Sequence, residues 1–535
     1  MLQKCGYLPL AICLLGGVLR EKKSIVEWES VNEHIKAAIY GVEEQIDGVL
    51  NLSYESLPYY LKPCFLYLGI FNEDETIGAL ELYTMWIAQG MISYENIGEK
   101  EDTLIDIAEL YLSELASRVW SIKVGNLVPY YRKLQHLAID FRSEVEHELI
   151  VACGEDTREH IRSIRLSNVV GSDVVEFPPQ SIIDFQKFKF LRDLVILRFK
   201  FAAGKLPRGI TKLVHLRRLC LEECELDKLP SSMRNLVYLD TLDLTLSWDV
   251  EVPNVFKEML RLKHLILPFY GNENAGSYRV RLDEGVDNLE TLLYFHSRCH
   301  ELKCMDRMKN LRIFGASIHD NESLSAIMNV IMNWNKIREC TILIVGSCDL
   351  TNERMLEKAL TCPNLYDLHI YSKIGKELAE CGSNLLSSKL RCLDLNDCEI
   401  EDDPMGILGK LPWLAKLELC QKSFVGEEMT CPTNSFLRLK ILALRELPAL
   451  REWRVEAGAM PLLSELTIEE CYCLEMVPKG LCAISTLQTL VIERMPELSK
   501  RISPSGEDFH EVCHVPSILI SFLTFPFFNF DVNTP

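Results

Sequence analysis

One short pattern recurs along most of this chain and constrains its fold more than any other feature. The run LVHLRRLCLEEC at residues 213–224 has leucines at its first, fourth, seventh and ninth positions and a cysteine at its twelfth. Similar runs, LVYLDTLDL at 236–244 and MLRLKHLIL at 259–267, follow at intervals of 23 residues. One unit of this length cannot bury its own leucines, so neighbouring units must stack around a common core. The pattern predicts one short strand per unit, with the leucines directed inward.

The pattern extends over residues 158–505 and predicts an α/β leucine-rich-repeat solenoid, a horseshoe of about thirteen or fourteen repeats. We place the repeat starts at Arg158, Leu191, Leu213, Leu236, Met259, Val286, Met308, Trp334, Cys362, Ser387, Leu411, Phe436, Met460 and Ile484. Three cysteines lie eleven residues after a start, at a position that such repeats bury: Cys224, Cys398 and Cys471. We therefore expect structural thiols there, not redox or metal-binding ones.

Residues that alternate with the inward leucines are predicted to lie on a concave, exposed surface. In the most regular repeat, Leu216, Leu219 and Leu221 should point into the core. The irregular spacing of the repeats indicates variable loops, and such a surface suits protein binding, although a passive scaffold is the alternative. The candidate protein-binding residues on or near this surface are Arg217, Arg218 and Cys220.

Charge and composition exclude several classes of function. The net charge of -20 argues against a surface that follows nucleic-acid phosphates. No apolar stretch reaches the roughly 18–20 residues of a membrane-spanning helix. The twenty cysteines show no framework spacing, so reduced thiols are expected. The apolar run at 8–19 allows two interpretations, a secretory signal peptide or a buried helix.

The chain shows no pattern that predicts catalysis or metal binding. No nucleophile stands with a base and an orienting third group, so we expect no enzyme. Two short groups contain residue types that bind zinc: Cys299, His300 and Cys304, and His510, Cys513 and His514. Neither group has a second ligand pair at a fixed spacing. We therefore expect no metal.

Four ordered motifs precede the repeats. They are CGYLPLA at 5–11, LNLSYESLPYYLKP at 50–63, CFLYLGIFNED at 64–74 and WIAQG at 86–90. In order and spacing they resemble the end of the nucleotide-binding region of plant disease resistance proteins of the coiled-coil NB-ARC leucine-rich-repeat class. The resemblance implies that the apolar opening is a buried helix and that the protein is cytoplasmic.

The resemblance also implies a domain order. It gives a C-terminal remnant of the NB-ARC helical domain at 1–45, a winged-helix domain at 46–122, a linker at 123–157, leucine-rich repeats at 158–505 and an irregular tail at 506–535. The winged-helix module is not expected to bind DNA, because its surroundings are acidic.

Nucleotide binding is not expected from this chain, although the family binds ADP or ATP. A P-loop needs G-x-x-x-x-G-K-[ST], and the nearest run, GGVLREKKS at 16–24, lacks the second glycine and the spacing. Pro9 matches the family residue that lies against the adenine. His136 lies in RKLQHLAIDF, where the family carries its M-H-D motif, and is either a displaced remnant of that motif or a partly buried structural histidine.

The function that the resemblance implies is an N-terminally truncated plant intracellular immune receptor. Its repeats would recognise a pathogen effector or a guarded host protein. The alternative is a non-switching decoy or regulatory module that pairs with a full-length resistance protein. An adaptor for ubiquitination would need a short ligase-binding motif at the N-terminus, and none is found.

Overall fold

The computed structural model describes two compact units, Met1–Leu262 and Lys263–Pro535. The described residues are 24, 28, 54, 57–71, 77–93, 103–118, 135–141, 160–168, 174–178, 183–247, 250–268, 282, 285–299, 302–345, 355–374, 378, 381 and 383–521. The predicted helical remnant at 1–45, with Pro9, lies outside these residues except for Ser24 and Trp28.

The first unit begins with three helices, which we call the helical module. They are α1 (Leu61–Tyr67), α2 (Ala79–Gln89) and α3 (Leu104–Arg118). The α2 helix ends at Gly90, whose φ of 77° is the left-handed conformation that glycine adopts without strain. The α3 helix begins with a reciprocal cap, because Thr103 N donates to Asp106 Oδ2 at 2.7 Å and Asp106 N donates to Thr103 Oγ1 at 3.3 Å. The winged-helix assignment of residues 46–122 stays a prediction.

Apolar side chains from all three helices form one cluster. Tyr67, Trp86 and Tyr111 are almost completely buried in it. Two residues from the repeats, Val195 and Cys220, belong to the same cluster. The helical module therefore packs directly on the strands of the first repeats.

The repeats of the first unit form a parallel sheet. Its strands, in spatial order, are β1 (His136–Phe141), β2 (Ser163–Asn168), β4 (Asp193–Leu197), β6 (Arg218–Glu222) and β7 (Thr241–Asp243). A separate parallel pair joins β3 (Val175–Glu176) to β5 (Phe199–Lys200). Leu219 pairs with Leu194 on one side and Leu242 on the other, and all three are buried. Leu216, Leu219 and Leu221 are each 0% exposed, which confirms their predicted inward direction.

Two predictions for this unit are wrong. The predicted linker at 123–157 contributes β1, which pairs along its whole length with β2. The repeat that we started at Leu191 begins at Phe188, because Leu194 pairs with Leu219 and Leu191 therefore matches Leu216. Phe188 and Leu191 are both buried and three residues apart, so spacing alone did not distinguish them.

The second unit also carries a parallel sheet, with one strand in each repeat. Its strands, in spatial order, are β8 (His264–Ile266), β9 (Thr291–His296), β10 (Ile313–Ile318), β11 (Glu339–Ile344), β12 (Asp367–Tyr371), β13 (Cys392–Asn396), β14 (Lys416–Cys420), β16 (Ile441–Arg445), β18 (Glu465–Glu469), β19 (Thr489–Glu493) and β20 (Ser517–Ser521). A second parallel pair joins β15 (Glu428–Cys431) to β17 (Glu452–Val455).

Helices connect some of these strands. They are α4 (Asn321–Ile331), α5 (Met355–Leu360), α6 (Met405–Leu408), α7 (Pro496–Arg501) and α8 (Phe509–Val512). The side chain of Asp320 accepts a 2.7 Å hydrogen bond from Ser323 N and so caps α4. The predicted irregular tail from 506 is wrong for residues up to 521, because α8 and β20 continue the repeat pattern and β20 pairs with β19.

The repeat cysteines lie in the core, as predicted. Cys224, Cys398 and Cys471 are each at most 2% exposed. Each thiol donates to a carbonyl oxygen in the preceding repeat: Cys224 Sγ to Ile196 O at 3.4 Å, Cys398 Sγ to Ile370 O at 3.9 Å, and Cys471 Sγ to Leu444 O at 3.6 Å. Burial raises the pKa of all three thiols, to about 12 for Cys224 and Cys471. They are structural residues that connect adjacent turns.

Candidate functional sites on the strand faces

We call the side of each sheet that carries the residues alternating with the core leucines its strand face. In the first unit this face is covered where α2 packs against β4 and β6. Arg218 and Cys220, predicted to be exposed there, are both 0% exposed, so that prediction is wrong. Their side chains do lie outside the leucine core, but the helical module covers them. Arg217 is half-buried.

A carboxylate on β4 is the centre of the contact between the module and the repeats. Asp193 is 0% exposed. Its Oδ2 accepts hydrogen bonds from Tyr67 Oη at 2.8 Å and from Ser163 Oγ at 3.1 Å, and its Oδ1 accepts one from Arg218 Nη1 at 3.2 Å. Burial first, and then the charge of Asp193, raises the pKa of Tyr67. Three elements, α1, β2 and β6, therefore converge on one buried charge.

Charges from α2 extend this network. Glu81 Oε1 lies 3.6 Å from Arg165 Nη1 on β2 and 3.6 Å from Arg218 Nη2 on β6. Asp243 Oδ2 on β7 lies 4.0 Å from Arg218 Nη2. Burial alone would lower the pKa of Arg218, but Asp193 and the other carboxylates outweigh it, and the pKa is raised. Arg218 is thus held as a cation by carboxylates from both the module and the repeats.

Glu222, at the end of β6, lies close to the other carboxylates of this region. Its pKa is raised to about 8, by burial first and then by the neighbouring carboxylates of Glu81, Asp243 and Glu223. A carboxyl with such a pKa is largely protonated at neutral pH. Its charge therefore changes as the pH rises through about 8.

A row of arginines lies at the edge of this face. The row consists of Arg162, Arg192 and Arg217. Each of them lies immediately before a strand, β2, β4 and β6 respectively. Arg192 Nη1 donates to the backbone oxygen of Gln89, at the end of α2, at 2.9 Å. Burial, and then the charges of Arg217 and Arg162, lower the pKa of Arg192. Like charges are therefore kept close together beside the C-terminus of a helix, where cations are favoured.

His136 is placed in the sheet as the first residue of β1. Its ring packs edge-on against Tyr67, with ring centroids 4.9 Å apart. Burial lowers its pKa, and the charge of Asp193 opposes that change. The histidine contacts the interface between module and repeats, and both interpretations of its role stay predictions.

The sequence pattern missed the residues that build this interface. Tyr67 belongs to the CFLYLGIFNED run and Asp193 stands at a variable strand position, and neither type stands out in a repeat. The one available signal was charge: Asp193, Arg218 and Arg165 all occupy strand positions between core leucines or isoleucines, where a buried charge needs a partner.

The strand face of the second unit carries a different arrangement, a row of ion pairs across β14, β16, β18 and the end of β19. Glu418 lies 3.0 Å from Lys416 and 2.9 Å from Arg445, and Arg445 lies 3.0 Å from Glu469. Arg494 also pairs with Glu469. Although burial would raise it, the pKa of Glu418 is lowered by Arg445 and Lys416. The Arg445 side chain stays 32% accessible, so this row is available to a ligand.

The described part of the chain was compared with the geometry of a metal site and the length of a membrane-spanning helix. No group of three His, Cys, Asp or Glu side chains there is arranged to hold a metal ion. Cys299 is buried and Cys513 exposed, and His300 lies outside the described residues. Among the helices that the structure describes, none combines the length and apolarity needed to cross a membrane.

Comparisons with known proteins found a matching family, curated relatives and a solved structure. The family described as "Leucine-rich repeat region" matches residues 160–502. Two Arabidopsis thaliana proteins, "Disease resistance RPP8-like protein 3" and "Disease resistance protein RPP8", are each 32% identical to this chain; the matches cover 99% and 97% of it and 61% and 60% of the relatives. A leucine-rich-repeat protein from Leptospira interrogans is 16% identical, with a TM-score of 0.39, over 73% of this chain and 90% of that one.

The chain spans about three fifths of the length of the curated relatives that it matches. The repeat family covers more than half of the chain and includes every described strand except β1 and β20. This chain belongs to the leucine-rich-repeat family, and the relatives that resemble it over nearly its whole length are disease resistance proteins.

Proposed function

We propose that this chain is the repeat-containing part of a plant immune receptor and that its repeats recognise a pathogen effector or a guarded host protein. The observation that carries this proposal is the accessible row of charged residues on the strand face of the second unit. Parallel repeats offer such a face for extended contacts with a protein ligand. The relatives are named as disease resistance proteins, which favours a receptor over a decoy.

The helical module has a different role in this proposal. It covers the strand face of the first repeats through Asp193, Arg218 and Glu81. Ligand recognition would therefore fall to the second unit, while Arg217, half-buried at the edge of the module, is the remaining candidate contact among the three first predicted. A cytoplasmic location belongs to the same proposal.

A chimera tests this function. The chain would replace the aligned region of Disease resistance RPP8-like protein 3, and leaf cell death would be measured with a panel of secreted pathogen proteins. We expect the chimera to respond to different panel members from the parent. Two exposed acids of one repeat supply matched variants: Glu465→Arg, on the strand face, should abolish the response, whereas Glu475→Arg, off that face, should preserve it. A response unchanged from that of the parent would refute recognition by these repeats.

We also propose that this chain by itself holds no nucleotide. The run nearest to a P-loop lacks the second glycine and the spacing that a phosphate cradle needs. His136 contacts the Tyr67 ring, which supports a structural role for it. Isothermal titration of the purified chain with ADP should give no heat of binding, and a micromolar dissociation constant would overturn the proposal.

A further inference from the structure

A second charged region on the strand face of the second unit forms no ion pair with a lysine or arginine within the described residues. It lies on two neighbouring strands and consists of Asp367, His369 and Tyr371 on β12 and Asp394 and Asn396 on β13, which we call the acidic patch. The register pairs His369 with Asp394 and Tyr371 with Asn396, so these side chains share one face of the sheet. The patch adjoins the row of ion pairs that begins at β14.

The patch contains two buried oxygens that accept no hydrogen bond from the described residues. Asp394 is only 8% exposed. Its Oδ2 lies 3.4 Å from His369 Nδ1, but its Oδ1 is buried and accepts no hydrogen bond within the described residues. Asn396 Oδ1, two residues further along β13, is also buried and accepts no hydrogen bond within the described residues. A buried oxygen without a donor destabilises the fold. A ligand that donates a hydrogen bond to such an oxygen therefore gains the most binding free energy.

The acids in the adjacent row of ion pairs provide a comparison with those of the patch. Glu418 and Glu469, at strand positions like those of the patch, each contact basic side chains of this chain, Arg445 among them. The acids of the patch have a histidine where Glu418 and Glu469 have an arginine. The difference leaves the patch without the fork of strong donors that an arginine provides.

We infer that the acidic patch binds a lysine or arginine side chain of the protein ligand, with Asp394 Oδ1 and Asn396 Oδ1 as its acceptors. This inference rests on the proposed function, because it names the chemistry of the partner that the repeats would recognise. An arginine is the better fit of the two, since its several donors can satisfy neighbouring oxygens at once.

The electrostatics of the patch support a cationic partner. Burial raises the pKa of Asp367, which reports a poorly hydrated carboxyl. Burial would lower the pKa of His369, but Asp394, Glu339 and Asp367 outweigh it and raise the pKa. Three carboxylates thus favour positive charge at this point. Arg391, directly before β13, and Lys416, on β14, lower the pKa of Asp367 and so partly offset the effect of burial.

Deca-arginine binding to the full chain tests the inference. Hydrogen exchange measured by mass spectrometry should show peptide-dependent protection in β12 and β13. In a titration, the double variant Asp367→Asn/Asp394→Asn should raise the dissociation constant of deca-arginine about tenfold. This factor corresponds to the loss of about one charge-assisted hydrogen bond. Asp367→Asn alone, at a half-buried position, should raise it by a smaller factor and tests the patch even if the double variant folds poorly.

The matched control is Glu427→Gln/Glu475→Gln, which removes the same charge from exposed positions off the strand face. Because the chain carries a net charge of -20, a polycation binds it non-specifically, and this control measures that part. The control should change the dissociation constant by less than about twofold. An equal loss in patch and control variants, or protection outside β12 and β13, would overturn the inference. If the chimera still recognises its ligand in that case, only the inference fails and the proposed function stands.

Discussion

Tyr67 Oη donates a 2.8 Å hydrogen bond to Asp193 Oδ2, and so joins a helix to a repeat strand 126 residues further along the chain. The same carboxylate is also bound by Arg218, from the next repeat. A buried carboxylate is stable only when donors satisfy it, so each of these contacts depends on the others. The helical module and the first repeats are therefore expected to unfold as one cooperative structure.

Replacing Tyr67 by Phe removes one donor from the buried Asp193 and leaves the ring in place. We expect the free energy of unfolding to fall by about 1.5–3 kcal/mol, the range for a hydrogen bond to a charged group. Urea unfolding followed by circular dichroism measures this change. Tyr59→Phe is the control, because Tyr59 is 74% exposed and should tolerate the change within about 0.5 kcal/mol.

Replacing Arg218 by Met should destabilise the first unit more strongly. The change leaves Asp193 buried without its cation and removes a contact of Glu81, and breaking a buried pair in this way costs about 3–5 kcal/mol. The combined variant Arg218→Met/Asp193→Asn should recover part of the loss, because it removes the orphaned charge. Equal stability of Arg218→Met and the unaltered chain would show that the network does not support the fold.

Replacing Leu219 by Ala tests the register of the repeats. Leu219 is 0% exposed, and its truncation should cost about 2–5 kcal/mol through lost burial and the cavity left behind. Arg217→Ala, at a half-buried position, should change the free energy of unfolding by less than about 0.5 kcal/mol. Thermal unfolding of both variants compares them, and greater damage from Arg217→Ala would refute the register.

Glu222 gives the stability of the first unit a specific pH dependence. Its pKa is about 8 in the folded chain, against an ordinary value of 4.5, so the folded state holds a proton that the unfolded state releases between these values. Stability contributed by this group is therefore full below about pH 4.5, falls as the pH rises, and reaches its minimum above about pH 8.

The variant Glu222→Gln should remove this dependence. We expect it to be more stable than the unaltered chain above about pH 8, by roughly 1 kcal/mol or more, and to differ little near pH 4.5. Thermal unfolding across this range is the measurement. Glu225→Gln, at the solvent-exposed position that pairs with Lys200, is the control and should show no gain at high pH.

The repeat period predicted the register well because core leucines obey one geometric rule in every repeat. The starts placed at Leu213 and Leu236, and those from Met259 to Ile484, agree with the strand pairings. The same rule placed Arg218 and Cys220 outside the core but gave no information about what covers them. That depends on α2, which packs on these strands through contacts far apart in sequence.

Two ends of the repeat region escaped prediction for a related reason. The strand β1 has Leu137, Ile139 and Phe141 in alternation, but it precedes Arg158, the first repeat start that we placed. The strand β20 follows a helical turn at 509–512 in place of a leucine-spaced loop. In both cases the apolar positions keep the repeat spacing with few leucines, and the pairing with β2 or β19 shows that the sheet extends to them.

The reactivity of Cys220 tests most directly whether the helical module covers the strand face of the first repeats. The purified chain would be alkylated with iodoacetamide, and the rate at each cysteine would be measured by mass spectrometry in the native state and in urea. Cys482 and Cys513 are exposed and should react in the native state at rates near those in urea, whereas Cys220, 0% exposed beneath the module, should be protected until the first unit unfolds. Native reaction of Cys220 at a rate close to that of Cys513 would contradict the account.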